Sequence, residues 1–129
     1  ATPAMIARME DTATRSVMPY LDEGQATVGT HVDVRHLDAT PEGMKVFIHT
    51  ELVEINANGK FLTFQVEARD EHGVIGSGIH ERAIINVGRF MEKVNKKNIK
   101  EKLTKLAPKI LLRFLVMWLM LTRNKKLQY

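Results

Sequence analysis

Three polar side chains in the first third of the chain could do acid–base work: Thr2, Glu10 and His36. An imidazole manages a proton near neutral pH, a carboxylate serves as nucleophile or general base, and a hydroxyl can orient either of them. Such a set suits attack on an activated carbonyl. Each residue also has a plain structural reading. His36 alternates with Val32 and Val34 on an apolar strand face, where a histidine is often held by backbone. Glu10 follows Met9 at the edge of a helical stripe, so it can be a surface charge paired with Arg15. Thr2 can be no more than a helix cap, although a helix N-terminus also offers free N–H groups to an oxyanion. Residue types and spacing alone leave these alternatives open.

Other chemistries are excluded more firmly. The chain has no cysteine, which removes disulfides, thiolate zinc sites and a cysteine nucleophile. His31 and His36 are expected on opposite strand faces, and His49, His72 and His80 lack ligand spacing, so neither a metal nor a cofactor is expected. There is no G-x-S-x-G elbow and no dinucleotide fingerprint. Gly29 and the pair in Gly76-Ser77-Gly78 lie inside strand-like stretches, where glycine marks a bulge or a close backbone approach.

The elements that must position these residues read as one helix followed by four strands. Thr2 is expected as N-cap with Pro3 at the first helical position. Ile6, Met9, Ala13 and Val17 form an apolar stripe, and Pro19 with Asp22-Glu23-Gly24 ends the helix. The period then changes to two. Over Thr27–Leu37, the residues Val28, Thr30, Val32, Val34 and His36 are expected on one face. Met44–Ile55 is a second strand with Met44, Val46, Ile48, Thr50 and Leu52 inward. Phe61–Asp70 is a third, with Leu62, Phe64, Val66 and Ala68 aligned, and Val74–Val87 a fourth. Turns at Thr40-Pro41-Glu42-Gly43, Asn58-Gly59 and Glu71-His72-Gly73 join them. A helix against an antiparallel meander is an α+β layer. One helix cannot cover four strands of roughly 36 Å on both sides, so a homodimer or higher homo-oligomer is expected.

Within the 129 residues the charge is uneven. Residues 1–95 carry 9 Lys/Arg against 14 Asp/Glu, whereas residues 96–129 carry 10 Lys/Arg and a lone acid, Glu101. The acidic body argues against nucleic-acid binding. In the tail, Ile99, Leu103 and Leu106, then Leu111, Leu115, Trp118 and Leu121, suggest one or two amphipathic helices around Pro108. A solvated extension is favoured there over contact with a membrane surface, an anionic partner or RNA, and cover for the exposed sheet is a further alternative. The apolar stretch Ile110–Leu121, interrupted by Arg113, falls short of the ~20 residues that span a bilayer. The start lacks the charged and apolar regions of a signal peptide, so a cytoplasmic location is expected.

Several pieces in order resemble one family: Thr2-Pro3-Ala4-Met5, Glu10, Val28-Gly29-Thr30, Val34-Arg35-His36-Leu37, Ala39-Thr40-Pro41 with Gly43, and Ile75-Gly76-Ser77-Gly78-Ile79-His80-Glu81-Arg82. Over residues 1–95 the chain is similar to the fluoroacetyl-CoA thioesterase-like branch of the hotdog superfamily. The resemblance implies a hotdog fold, an antiparallel sheet wrapped around a central helix, here with a C-terminal helical extension at 96–129. It implies hydrolysis of a small acyl-CoA to free acid and CoA by a dimer. By the resemblance, Thr2, Glu10 and His36 are catalytic, Thr2 orienting the carboxylate. Gly29 lies against the thioester, and Gly78, His80 and Arg82 join it in binding substrate. Family members carry a strand and a lid segment before this threonine, so the chain is expected to be a piece lacking them, and fluoroacetyl selectivity is not carried over. The rival reading is a non-catalytic acyl-CoA-binding or interaction module of the same fold. A hydratase of the superfamily is disfavoured, because its Asp/His motif is not found.

Overall fold

The computed structural model describes residues 1–126, with side chains through Leu121; the end of the expected tail, 127–129, lies outside the described residues. The chain separates into two compact units, residues 1–88 and a second that begins at Arg89.

The first unit opens with helix α1, Thr2–Val17. Its apolar positions recur every four residues, and Met5, Met9, Ala13 and Val17 are the ones buried. Met5 takes the place expected for Ile6, which is half-buried at the edge of the stripe. The N-cap is Ala1 rather than Thr2, and no side chain caps the helix. The Thr2 hydroxyl is engaged elsewhere, as described below. Pro19, which cannot donate to a helical ladder, converts the exit into a 3-10 turn over Met18–Tyr20.

Four strands follow: β1 Gln25–His36, β2 Phe47–Ile55, β3 Phe61–Asp70 and β4 Gly73–Asn86. They form an antiparallel sheet in the order β1-β4-β3-β2, so β1 and β2 are its edges. Gly43, Gly59 and Gly73 take up positive φ in the connections, conformations that a Cβ disfavours. β2 starts at Phe47 rather than Met44, because the Met44 N–H is spent on the Pro41 carbonyl at 3.2 Å in the preceding turn.

The core lies between α1 and the sheet. Leu62, Phe64, Val66 and Ala68 of β3 and Ile75 of β4 meet the helix stripe, as the period-two pattern predicts for β3. Phe64 and Met9 are almost wholly enclosed, each contributing about 1.5–3 kcal/mol by burial.

β1 departs from the expected single alternation. Its register against β4 shifts between Gly29 and His31, leaving Thr30 as a bulge. Before the bulge, Thr27 and Gly29 face α1, paired with Ile84 and Arg82; after it, Val32, Val34 and His36 do so, opposite His80, Gly78 and Gly76. Val28 and Thr30 therefore do not share the face of Val34 and His36. The extra residue changes the parity of the strand.

The second unit is formed by helix α2, Val87–Lys126, which begins in the last residues of the first and runs without a break through Pro108. It starts within two residues of Arg89, from which the sequence pattern turns helical, and one helix stands where one or two were expected around Pro108. Among the described residues no helix is long and apolar enough to cross a membrane.

Candidate active site

The sheet face under α1 carries two polar clusters. At the N-terminal end of the helix, Thr2 Oγ1 lies 2.8 Å from His36 Nδ1. Two local facts bring them together. Thr2 occupies the first helical turn, and His36 is the last residue of β1, opposite Gly76. A side chain at Gly76 would collide with Met5, which the glycine admits instead. Both members of the pair are exposed. Beside them opens a largely apolar cleft of about 290 Å³ lined by Met5, His36, Thr40, Met44, Ile48 and Ile75. The Thr2 hydroxyl thus orients the imidazole, not the Glu10 carboxylate expected from the resemblance.

The second cluster surrounds Glu10. The half-buried Glu10 side chain reaches over Gly29, where a Cβ would sit 3.5 Å from Glu10 Oε1, 3.5 Å from Arg82 Nη1 and 3.3 Å from His80 Cε1. The bare backbone at this point keeps a small space open among three polar side chains. Arg82 is buried, with 7% of its surface exposed, and its hydrogen bonds are numerous. Its Nε donates to Thr27 Oγ1 at 2.8 Å and its Nη2 to the Thr27 carbonyl at 2.8 Å. Its Nη1 lies 3.1 Å from His80 Nε2. His80, buried and stacked on Phe64, has its Nδ1 2.8 Å from the His31 carbonyl. A carbonyl only accepts, so Nδ1 carries the proton and Nε2 is left to accept from Arg82. Burial pushes the Arg82 guanidinium below its ordinary value, and the charge of Glu10 pulls it back up. The arginine is therefore a cation fixed by its bonds to Thr27 and His80, beside the carboxylate above Gly29.

The clusters do not meet within one chain. Thr2 and Glu10 are eight residues apart on α1, about 12 Å along the axis. Gly29 and His36 are separated by a comparable or greater distance along β1, roughly 20 Å. Gly78 lies between the clusters, paired with Val34 and Val66; a side chain there would run into the Asp33 carbonyl. Its place in the fold is a close approach of two strands. Thr27, which anchors Arg82, escaped the sequence reading. Its one signal was its position two residues before Gly29, on the same strand face.

Among the described residues no group of His, Cys, Asp or Glu is arranged to hold a metal ion. What the site offers is general acid–base and carboxylate chemistry from a proton-bearing imidazole, an arginine-backed carboxylate and a bare backbone segment.

Comparison with known proteins agrees with this fold. The chain is 40% identical over 97 residues to the fluoroacetyl-CoA thioesterase of Streptantibioticus cattleyicolor, covering 75% of this chain and 68% of that protein. A crystal structure of a fluoroacetyl-CoA thioesterase superposes with a TM-score of 0.71 at 40% identity, covering 75% of this chain and 70% of the other. A thioesterase superfamily member from Thermus thermophilus gives 0.74 at 27% identity, covering 79% and 74%. A hot-dog-like protein from Thermanaerovibrio acidaminovorans, at 23% identity and a TM-score of 0.71, supports the same fold. Residues 1–88 match the model of the fluoroacetyl-CoA-specific thioesterase family, and the chain belongs to that family.

Proposed function

We propose that the protein hydrolyses small acyl-CoA thioesters, and that two copies share each active site. The observation that carries the reading is the arrangement of two ready half-sites on one sheet face: His36 held by Thr2 at 2.8 Å, and Glu10 beside Arg82 over Gly29. The identity of 40% to a fluoroacetyl-CoA thioesterase, a variant of which is solved with fluoroacetate and CoA, supports the substrate class.

Strand β1 is a free edge. Two such edges can pair antiparallel about a twofold axis at Asp33, which sets Val32 opposite the partner's Val34 on the α1 face. Because Thr30 is bulged out of the ladder, that register brings Gly29 opposite the partner's His36. Each Glu10 then faces an imidazole from the other copy, and the dimer holds two composite sites.

The chemistry follows from the groups. Glu10 attacks the thioester carbonyl or draws a proton from the water that does; either way a C–O bond forms and negative charge moves to the carbonyl oxygen. Backbone N–H groups near Gly29 and the Arg82 cation offset that charge. As the C–S bond breaks, the thiolate leaving group needs a proton. With the Thr2 hydroxyl donating to Nδ1, the imidazole of His36 carries its proton on Nε2 and can deliver it to sulfur. Where Glu10 itself has attacked, water then opens the resulting anhydride and returns the carboxylate; in both routes the proton taken from water restores the imidazole, and free acid and CoA leave.

Thiol release from short acyl-CoAs tests the reading. Glu10→Gln and His36→Ala should each lower turnover by about 100-fold or more, with CoA binding retained. Full rates in both variants would remove the assignment.

A further inference from the structure

The second unit carries a feature that thioester hydrolysis does not use. Within the 40-residue helix α2, two consecutive segments differ in character. From 96 to 109, Ile99, Leu103 and Leu106 recur at helical spacing along one stripe, and Lys97, Lys100, Lys102, Lys105 and Lys109 cover the rest of the circumference. From 110 to 121, eleven of twelve residues are apolar, the exception being Arg113. All eleven are exposed, Leu111 at 68% and Trp118 at 62% among them. An exposed helix that is apolar on every side calls for an apolar medium around it.

Three occupants are conceivable, and the residues favour one. A second copy of the helix would set two strongly basic segments side by side, with six lysines against one acid in residues 96–109 of each. It would also need an apolar seam, whereas the apolar surface here goes all the way round. An RNA backbone would match the lysines but would leave the apolar turns in water. A bilayer with anionic headgroups satisfies both segments. Twelve residues rise about 18 Å, against a hydrocarbon core of about 30 Å, so the segment is too short to cross and fits within one leaflet when it lies oblique to the surface. Arg113 can reach back to the headgroups along its aliphatic stem, and tryptophan favours that boundary.

We propose that residues 96–121 bind an anionic membrane surface. The lysine-covered turns lie in the headgroup layer, and the turns from Ile110 to Leu121 are immersed below it. The enzyme would then act beside a membrane.

The chain has one tryptophan, so its fluorescence reports on Trp118 alone. The full chain is titrated with vesicles of phosphatidylcholine, alone or with about a third phosphatidylglycerol, and bound protein is measured by sedimentation. The expected result is a blue shift and sedimentation with the anionic vesicles, weakened by added salt. Lys100→Ala and Lys105→Ala should each lower the partition coefficient about fivefold. Leu111→Asp with Leu115→Asp should abolish binding while the circular dichroism of the sheet is unchanged. Absence of a shift with anionic vesicles overturns the proposal. So does equal, salt-insensitive binding to neutral vesicles, or a concentration-dependent shift without lipid, which would identify a second copy as the occupant. Capture of an RNA homopolymer with Trp118 unshifted and no vesicle binding would also overturn it.

Discussion

If each site draws Glu10 from one copy and His36 from the other, two dead variants should rescue one another. Glu10→Gln removes the carboxylate and His36→Ala the imidazole, each lowering turnover by about 100- to 10,000-fold. In a mixed dimer one site collects both lesions and the other collects neither. Random exchange of equal amounts makes half of all dimers mixed, so about a quarter of the wild-type sites return. The assay is thiol release after co-refolding or long incubation at several mixing ratios, with exchange followed by a tag on one variant. Activity should rise from 1% or less of wild type to about 25% at equal mixing. A converse mixture sharpens the result. Wild type mixed equally with the Glu10→Gln, His36→Ala double variant should fall to about a quarter of the all-wild-type rate, since every mixed dimer has two broken sites. A site contained in one chain gives no rescue in the first mixture and about half the rate in the second. Complete exchange with no rescue refutes the shared site and, with it, the twofold pairing of β1.

Three further outcomes follow from particular contacts. Gly29→Ala adds a methyl 3.3 Å from His80 and 3.5 Å from both Glu10 and Arg82; steady-state kinetics should show kcat/KM reduced about 10- to 100-fold, the cost of misplacing reacting groups, with little change in the urea midpoint. Arg82→Met should lower stability by about 2–4 kcal/mol in urea unfolding, because it leaves Thr27 and His80 with buried, unmatched polar groups. Arg82→Lys, which keeps the charge but not the planar fork, should recover part of the loss. Asp70 accepts from the backbone of His72, from the Thr40 hydroxyl and from the backbone of Gly73, and these bonds hold its carboxyl below its ordinary 3.8. Its contribution is present above that value and lost as pH falls through the lower folded one, so Asp70→Asn should flatten the decline of the urea midpoint below about pH 4.

The fold was largely legible because its signals are local. The alternation Leu62, Phe64, Val66, Ala68 needs no knowledge of the rest of the chain, and the bounds of β3 follow from it. The stripe of α1 was legible to within one position, since Met5 and Ile6 are equally apolar and only the packing against Gly76 selects between them. What could not be read was the bulge at Thr30. Nothing in Val28-Gly29-Thr30-His31 announces an extra residue beyond the glycine itself, yet the bulge decides which residues face the helix. An unbroken strand would set Gly29 and His36, seven residues apart, on opposite faces. The Thr2 side chain was misjudged for a related reason. Capping is a local habit of threonine, whereas its bond to His36 spans 34 positions and exists only once β1 has been laid beside the helix. Arg82 and His80 were named from the resemblance, but their mutual bond and their anchor on Thr27 depend on the pairing of β1 with β4.

The proposed division of the site between two copies has a physical rationale. Each half is satisfied within its own chain: the Glu10 charge is countered by Arg82, and the His36 ring is held by Thr2. Neither half needs the partner in order to be folded or correctly oriented. Assembly therefore has only to translate two preorganised groups into range of one carbonyl, without ordering new side chains at the moment of reaction. A Glu–His pair formed inside a single chain would instead be free to close into its own hydrogen bond, leaving less of either group for substrate. On the Glu10 side, Arg82 spends three of its five N–H donors on Thr27 and His80, which fixes the cation beside the carboxylate before any substrate arrives.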